Sequence, residues 1–539
     1  MRKQIARMMA AVLAAVVMTR LPVLAVGSSA AGEKAAPKTE EAAAEESGKL
    51  SLRLRNRSIQ DWNESLLRYN YIGRYQFIEL SDACAAQYPE LAEKLRLMNK
   101  GQERYLQDSA EGMIEYAGRF DQEHAAALPL TESSSYLVRR ADASALSILE
   151  RYDLYAGGEE STAYYTYCFD PETGKDLELS EIVQDPSALP DLIADRMMAQ
   201  MDTADQNPEE ESARTPEEIR TGLLGELHEY FETQDQVLQW VLDPHGLTFV
   251  FNPHTVDVER EDPLFVTILF RDDPDHEIFC DGVAAEKTYA VYLPLSVMNC
   301  ADLRGSTDLL KVDAVADETE HFRYRGAEIT LNGEHYFDSV YCEELTPVLV
   351  QAQSVTCLFL FYETGEGGRI RWYSLNQGSP MLVDEMQGTL KLDDDIQLDW
   401  EVEDTVPQKV LTDPERMNIR SMVWLLSSYY GWNEYNLNRD GSLSAANPYY
   451  WISGNRLTLK KDLKVPLIDE NTMEPTGRRV TVTKGTELIM KDSDGETFVD
   501  FELPDGRLIR VEVELGEYGE ERVDGEDAYD VFDGMLYAG

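Results

Sequence analysis

Apolar and polar residues alternate at every second position in several stretches of this chain, which is the spacing of half-buried strands. The first stretch begins at Leu146, and a second, rich in tyrosine, ends at Phe169. The polar segment that follows, residues 170–174, contains a proline that presets φ and a glycine that accepts positive φ. The pattern therefore predicts two strands, a reversing turn and then the start of a helix near residues 177–183.

A second hairpin is predicted about seventy residues later. Residues 240–253 contain an Asp-Pro-His-Gly turn, at 243–246, between two apolar runs. Helices are predicted where apolar residues recur at helical spacing, at Leu91, Leu95 and Met98 and again through residues 105–120. Another helix has its start at Thr215, with proline at the first helical position and glutamate closing a capping box. Helices and hairpins thus share the first half of the chain.

The second half is predicted to be mixed. Strands are expected near residues 328–331, 355–362 and 370–373, and then a helix that begins at Asp413 and runs to about Tyr430. Residues 455–515 contain six short alternating runs, separated by turns such as Asp494-Gly495 and Asp505-Gly506. Such a series predicts a small barrel, which resembles the SH3-type modules of bacterial wall proteins. The acidic segment after Gly516 is predicted to be loose.

The N-terminal residues predict export. Arg2, Lys3 and Arg7 precede an apolar run, and small residues at 23–25 provide a cleavage site, as in a secretory signal peptide. Arg20 interrupts a run that is already shorter than the ~20 residues of a spanning helix. Residues 26–50 are rich in Ala, Glu, Lys and Ser, which predicts a disordered linker. We expect a mature chain that is secreted, and either released or bound at the cell surface without a membrane span.

The two hairpin motifs together carry a resemblance to a known family. Residues 146–183 and 240–253 resemble the extracellular, lysozyme-sensing domain of RsiV-like anti-sigma-V factors, a domain of unknown function in other contexts. The resemblance covers roughly residues 60–295. It implies an extracellular location and lysozyme as a possible kind of partner. The chain departs from that family in lacking a predicted cytoplasmic sigma-binding part.

Charge narrows the class of partner. Asp and Glu number 100 against 49 Lys and Arg, which gives a net charge of −51. Loss of residues 1–25, with their four positive charges, leaves −55. Such a surface repels nucleic acid and anionic lipid and attracts cationic proteins, of which lysozyme is one. The alternative interpretation of this acidity is simple solubility.

The six cysteines and seven histidines form no recognisable catalytic or metal motif. Buried free thiols are expected, with bridges Cys280–Cys300 and Cys342–Cys357 as the alternatives. The acidic segment 272–277, which contains His276, is interpreted as a loop that binds no metal. The segment 436–447 resembles the start of a calcium loop but has Asn447 at position twelve, so loop capping by Asx turns is the preferred interpretation.

Seven aromatic residues lie within about twenty-five positions near the middle of the second half. Aromatic residues at this density occur in binding grooves and protein hot spots, and equally in the core of a small domain. The sequence leaves both alternatives open. The residues are Tyr429, Tyr430, Trp432, Tyr435, Tyr449, Tyr450 and Trp451.

These patterns predict a multidomain α+β protein in which an antiparallel sheet packs with helices, followed by a small C-terminal SH3-like β-barrel. The predicted regions are a signal peptide (1–25), a linker (26–50), an RsiV-like α+β region (51–300, helical at 51–130 and built of hairpins and helices at 131–300), a mixed α/β region with the aromatic cluster (301–452), the barrel (455–515) and an acidic tail (516–539).

The expected function is that of a secreted, non-enzymatic binding or sensing protein of a Gram-positive-type bacterium. Its partner is predicted to be a cationic protein such as lysozyme, or the peptidoglycan of the cell wall. The alternative is a peptidoglycan-active hydrolase with a carboxylate site that sequence patterns do not reveal. We expect no nucleic-acid partner, cofactor or metal, and the sequence identifies no catalytic residue.

Overall fold

The structure is a computed structural model. It describes residues 48–537 except 121–127, 157–158, 205–215, 233–237, 256–261, 274–276, 281–282, 284, 304–305, 320, 353, 365–367, 391–407, 453, 471 and 517–518. The predicted signal peptide and most of the linker therefore lie outside the described residues. Strands contain 52% of the described residues and helices contain 18%, so the prediction of an α+β fold with packed helices is wrong. The protein is mostly β.

The first sheet carries the long helix. Strands β2 (Arg68–Leu80) and β3 (Leu130–Ala141) pair in parallel, and their crossover contains the helix α2 (Pro89–Ala117), which packs on the sheet through Leu91, Leu95 and Met113. Parallel neighbours require such a long connection. The predicted helices of residues 91–120 are confirmed, but residues 52–80 are strands. The elements are β1 (Leu52–Asn63), β2 (Arg68–Leu80), α1 (Asp82–Gln87), α2 (Pro89–Ala117), β3 (Leu130–Ala141), β4 (Leu146–Ala156) and β5 (Glu159–Phe169).

Both predicted hairpins are confirmed, because β4 pairs with β5 and β6 pairs with β7 across the turn at residues 244–245. The turn after β5 has Gly174 at φ 63°. A three-stranded sheet, β6-β7-β8, shares a core with two helices. The elements are α3 (Leu179–Ile182), α4 (Leu189–Ala204), α5 (Pro216–Glu232), β6 (Trp240–Asp243), β7 (Gly246–Phe251) and β8 (Leu264–Leu269), with short 3₁₀ turns at Pro186–Ala188 and Phe270–Asp272. The helix predicted after Thr215 is confirmed, although Thr215 itself lies outside the described residues.

Two further antiparallel sheets follow, ordered β10-β11-β12-β13 and β17-β16-β15-β14-β9. The predicted strands near residues 328–331, 355–362 and 370–373 are β12, β15 and β16. The elements are β9 (Tyr289–Tyr292), β10 (Asn299–Leu303), β11 (Ser306–Ala316), β12 (Tyr324–Leu331), β13 (Glu334–Asp338), β14 (Glu344–Ala352), β15 (Val355–Glu363), β16 (Arg369–Ser374), β17 (Met381–Gln387) and β18 (Thr389–Leu390).

The C-terminal part forms a large open sheet of twelve strands. Besides β18, its strands are β20 (Met417–Trp424), β21 (Ser428–Leu437), β22 (Leu443–Ala445), β23 (Tyr450–Ile452), β24 (Arg456–Leu459), β25 (Leu463–Ile468), β26 (Pro475–Val482), β27 (Glu487–Ser493), β28 (Phe498–Glu502), β29 (Leu508–Glu512) and β33 (Phe532–Asp533). The strand β19 (Gln408–Lys409) lies on the edge of the first sheet. A separate three-stranded sheet contains β30 (Glu514–Leu515), β31 (Glu521–Val523) and β32 (Glu526–Asp527), and the short helix α6 (Ala528–Val531) follows it.

Three predictions for this part are wrong. Residues 417–437 are two paired strands instead of the helix predicted from Asp413 to Tyr430, so the described residues of 301–452 are strands and loops without a helix. All six strands predicted at 455–515 are present, yet no sheet of the described residues closes into a barrel. The tail is also not loose, because β33 pairs with β24 and Phe532 is fully buried.

Five of the six cysteines are buried free thiols, and Cys280 is partly exposed. The largest core joins the first sheet, the β9 sheet and the start of the large sheet, with residues such as Leu52, Val350 and Ile419 in one cluster. Among the described residues, no helix has both the length and the apolar character that crossing a bilayer demands.

Candidate functional site

The large sheet has one face in the core and one face turned outward. Along β20 and β21 the burial alternates, so that Ile419, Tyr429 and Tyr435 face the core while Arg420 and Trp432 lie on the outer face. Alternation of this kind follows from the two-residue repeat of a strand. A ligand that binds this sheet would therefore contact the side chains of its outer face.

One line of side chains crosses six strands on the outer face. Residues paired directly across neighbouring strands place their side chains on the same face. The consecutive pairs run from β20 through β21, β23, β27 and β28 to β29. We name this line the cross-sheet row, and its members are Arg420, Trp432, Trp451, Asp492, Asp500 and Arg510.

The aromatic part of the row is a stacked pair. The rings of Trp432 and Trp451 have centroids 4.4 Å apart at 30°, and Tyr449 meets Trp451 edge-on at 5.8 Å. The Arg420 guanidinium lies 3.6 Å from the centroid of the Tyr430 ring. Burial lowers the pKa of Arg420, and the tyrosine opposes that fall. The three rings of the stack are half-buried, so their outer edges remain accessible.

The acidic part of the row is anchored by an ion pair. Arg510 donates two hydrogen bonds to Asp500, from Nε to Oδ1 at 2.8 Å and from Nη2 to Oδ2 at 2.7 Å. The Asp500 side chain is fully buried. Burial raises the pKa of Asp500 although Arg510 opposes the rise. Arg510 also stacks over Phe498 at 3.5 Å and donates to the Met473 carbonyl. A fork of two parallel bonds holds both partners in place.

Asp492 lies beside this pair without a bond of its own to it. A bulge in β27 between Met490 and Asp492 changes the register, so Met490 faces the core while Asp492 faces outward. Bulges commonly re-aim a side chain in this way. Asp492 is 5% exposed, and its Oδ1 is buried without a hydrogen-bond partner among the described residues. Burial, with the nearby Asp500 carboxylate, raises the pKa of Asp492 to about 7.

A surface cavity of about 280 Å³ opens at Asp492. Its walls come from the strands β27, β28 and β29 and from the loop between β25 and β26. Lys491 and Glu502 form an ion pair of 2.8 Å on one side. The lining includes Glu470, Met473, Lys491, Asp492, Glu502 and Leu508. A carboxyl with a strongly shifted pKa that lines a concave site is a candidate functional group.

A larger opening, of about 400 Å³, lies between Lys49 and Asp413. Lys49 bonds to Glu286 at 3.4 Å across it, and no aromatic residue is among its described lining. Its charged groups already include a bonded pair, and it offers no stacking surface. We therefore regard the cavity at Asp492 as the candidate site.

The aromatic cluster identified in the sequence has some members on the outer face, as in a binding groove, and others in the core. Trp432, Trp451 and Tyr449 meet on the outer face, whereas Tyr429 and Tyr435 are buried in the cores. The carboxylates and arginines of the cross-sheet row were not predicted. Their signal in the sequence is weak, since Asp492 follows the alternation of Leu488 and Met490 and only the bulge moves it to the other face.

In the segments 272–277 and 436–447, whose composition resembles that of a metal site, an aspartate accepts hydrogen bonds from residues nearby in sequence. Asp440 accepts bonds from the backbone and hydroxyl of Ser442 at 3.0 and 2.7 Å, as the predicted Asx turn requires. Asp273 accepts from three backbone amides, at residues 277–279. His276 lies outside the described residues. Among the residues that the structure describes, no group of three His, Cys, Asp or Glu side chains is arranged to hold a metal ion.

A second polar cluster is buried between sheets, where Arg139, Asp243 and His245 are each less than 5% exposed. Arg139 donates two bonds of 2.7 Å to Asp243, and Thr248 also donates to this carboxylate. The guanidinium further reaches the amide oxygen of Asn299 at 3.2 Å. His245, in the predicted hairpin turn, bonds the Cys300 carbonyl at 3.1 Å, and burial lowers its pKa. This cluster joins three sheets and is structural in character.

Comparisons with known proteins add little to this geometry. No protein-family model matches the chain, and no curated protein is found as a relative. Among solved structures, a DUF3298 family member from Bacteroides fragilis shows 14% identity and a TM-score of 0.31, covering 44% of this chain and 96% of its own. A DUF3298 family protein from Pseudomonas aeruginosa shows 10% identity and a TM-score of 0.29, covering 44% and 97%. DUF3298 is a domain of unknown function. Similarity this low supports no inference about activity, and the RsiV-like resemblance stays a prediction.

Proposed function

We propose that this is a secreted, non-enzymatic binding protein that captures a cationic protein on the cross-sheet row. The observation that carries the proposal is the placement of the stacked pair Trp432 and Trp451 next to the buried carboxylates Asp492 and Asp500. Aromatic faces and carboxylates are the two groups that attract ammonium and guanidinium ions. Lysozyme, the partner implied by the RsiV-like resemblance, is the first protein to test.

The charge of the whole chain supports the same class of partner. A net charge of −51 steers cationic proteins toward the surface and raises the rate of encounter. Specific docking needs in addition a desolvated centre, and such centres are enriched in Trp, Tyr and Arg. The cross-sheet row supplies Trp432, Trp451 and Arg420, and Tyr449 packs against Trp451 beside it.

Binding of lysozyme and of cytochrome c should be measured side by side over a salt series. The on-rate for lysozyme should fall steeply as the Debye length shrinks from about 10 Å at 0.1 M to about 3 Å at 1 M salt, while the off-rate changes far less. W432A and W451A should each weaken lysozyme binding by tenfold or more, since hot-spot residues are worth about 2 kcal/mol. W62A, which removes an exposed tryptophan of the first sheet, is the matched control and should bind as the wild type.

Two results would reject this function. One is equal binding of lysozyme and cytochrome c that vanishes at high salt, because it would reduce the acidity to nonspecific attraction. The other is lysozyme binding that W432A and W451A leave unchanged while their melting temperatures stay near that of the wild type.

The second candidate is a peptidoglycan-active hydrolase, and the observation that favours it is the raised pKa of Asp492 directly across from Asp500. Carboxyls that face each other in this way, with one kept protonated near neutral pH, are used in glycoside hydrolysis. Both oxygens of Asp500 are bonded to Arg510, which leaves it poorly placed as a nucleophile or base. Release of muropeptides from purified peptidoglycan that D492N abolishes would establish the hydrolase instead.

A further inference from the structure

Asp492 is a buried acid for which the protein supplies no hydrogen-bond donor at Oδ1 among the described residues. An ionised carboxylate is expensive to bury without a partner, and unsatisfied buried groups are few in native proteins. The residue is only 5% exposed, yet it lines a cavity that is open to solvent. A ligand in the cavity that donates a hydrogen bond to Oδ1 of Asp492 would satisfy this buried oxygen.

The positive charges around Asp492 are already engaged. Arg510 is held by both oxygens of Asp500, and Lys491 is paired with Glu502 at 2.8 Å. Each of these cations therefore has its own anion. Asp492 is left as the extra negative charge at the base of the cavity.

Other ionisable groups near Asp492 add no positive charge. Tyr449, from β23, has its pKa raised by burial and by the charges of Asp492 and Asp500. Glu474 contributes to the same rise, and Glu470 stands exposed at the rim of the cavity. The cavity is thus acidic on balance, which disfavours an anionic ligand and favours a cation.

The shape and lining of the cavity narrow the kind of cation. A volume of about 280 Å³ admits an ammonium group with its methylene chain, and Met473 and Leu508 offer an apolar wall for such a chain. A single unpartnered carboxylate oxygen suits a point donor better than a planar guanidinium fork. A calcium ion needs six or more oxygen ligands, and the described residues contain no cluster of three acids arranged for a metal.

We propose that the cavity at Asp492 is a binding site for a primary ammonium group, with the lysine side chain of a polypeptide as its natural source. The Asp492 carboxylate accepts the hydrogen bonds of the ammonium, and Met473 and Leu508 contact the methylene chain. The lysine source rests on the proposed capture of a cationic protein. The ammonium site itself rests only on the geometry of the cavity.

A pH dependence follows. The ammonium pairs with the ionised form of Asp492, whose pKa is about 7 in the free protein. Affinity should therefore fall about tenfold between pH 7 and pH 5.7 and level off above about pH 8. Between pH 6 and 7, binding should release a proton to the buffer.

The test uses the full chain and Nα-acetyl-lysine methylamide, followed by calorimetry from pH 5.5 to 8.5. Wild type should bind with this pH profile, and D492N should bind at least tenfold more weakly with no pH dependence. E487Q is the matched control, because Glu487 lies on the same strand, is exposed and is outside the cavity. It should behave as the wild type, and the Nε-acetylated ligand should not bind.

A second measurement does not depend on the stability of D492N. At pH 6.5, the heat of binding to wild type should differ between phosphate and imidazole buffers, since a released proton is taken up by the buffer and neither buffer contains a primary ammonium group. The inference is overturned if the ligand fails to bind, if folded D492N binds it as tightly as wild type, or if the two buffers give the same heat.

The ammonium site and the proposed capture of a cationic protein can each be rejected without rejecting the other. Ammonium binding in a protein that does not capture lysozyme would reject the proposed partner and retain the site. Capture of lysozyme that D492N leaves unchanged, together with no binding of the lysine derivative, would retain the partner and reject the site.

Discussion

Buried carboxylates in this chain differ in whether the protein provides them with partners. Glu132 accepts hydrogen bonds from the hydroxyls of Tyr71, Ser109 and Tyr152 at 2.7 to 2.9 Å. Asp243 is paired with Arg139 by two bonds of 2.7 Å. Among the described residues, no donor bonds Oδ1 of Asp492, although this oxygen is buried. This difference separates residues that stabilise the fold from one that is available to a ligand.

The first residue-scale prediction concerns the paired acid. D243N should lower the free energy of unfolding by about 3 to 5 kcal/mol, because it leaves the Arg139 guanidinium buried and without its counter-ion. Urea unfolding at pH 7 measures this loss. The control D191N removes an exposed carboxylate that bonds Arg220 at 3.2 Å, and it should change stability far less. Equal losses in the two variants would contradict the structural role of Arg139 and Asp243.

The second residue-scale prediction concerns the pH dependence of stability. The pKa of Asp492 is raised from 3.8 to about 7 by folding, so the folded chain binds a proton more tightly than the unfolded chain. Its contribution to stability is therefore full at low pH and is lost as the pH rises toward 7. The advantage of D492N over wild type should grow by about 3 kcal/mol from pH 5 to pH 8. Urea titrations of both proteins at the two pH values test this, and a constant difference would mean that the carboxyl ionises normally.

Among the secondary-structure elements, turns are predicted more reliably than whether an apolar run forms a helix or a strand. The turn at residues 170–174 and the six strands of 455–515 were recognised because glycines and alternation act locally. The segment 417–430 was predicted as a helix from its Asp-Pro start, but Met417, Ile419 and Val423 alternate as in a strand. Pairing of β20 with β21 across the short turn at residues 425–427 decides the outcome, since strand formation depends on packing against cross-strand neighbours.

The element-scale prediction concerns Gly174. It has φ 63°, and a Cβ built on it would lie 2.5 Å from the carbonyl oxygen of Glu90, at the start of α2. G174A should therefore cost more than the roughly 1–2 kcal/mol of left-handed backbone strain alone. G485A is the matched control, because Gly485 has φ 83° with nothing within 4 Å of its Cβ. Thermal unfolding of both variants measures the difference, and equal losses would argue against contact between this turn and the helix.

At the scale of the whole molecule, the C-terminal residues complete a core that begins about a hundred residues earlier. Phe532 is fully buried, stacks on Phe501 at 6.0 Å between ring centroids, and shares its cluster with Val423 and Leu426. The segment was predicted to be loose because it is short and acidic. A few apolar side chains in it are enough to close the core.

The whole-molecule prediction follows from that closure. F532A should lower the free energy of unfolding by about 3 to 5 kcal/mol, as for other large-to-small changes in a core. The isolated segment 455–515 should give a random-coil spectrum, because it lacks β20, β21 and β33. Y529A is the control, since Tyr529 lies three residues before Phe532 on the adjoining helix α6 but is 56% exposed, and its loss should be tolerated. A folded 455–515 fragment would restore the view of an independent module.

Local sequence patterns are enough to predict the helix within residues 89–117, the hairpins at 146–169 and 240–251, and the strands after residue 455. These depend on periodicity and turn residues within a few positions of one another. Tertiary structure alone decided the open sheet, the docking of Phe532 and the candidate site. The cross-sheet row collects residues from positions 420 to 510, and a one-residue bulge sets the direction of Asp492. Register between strands that are distant in sequence is specified where one face is buried, so it depends on which elements the tertiary structure brings against that face.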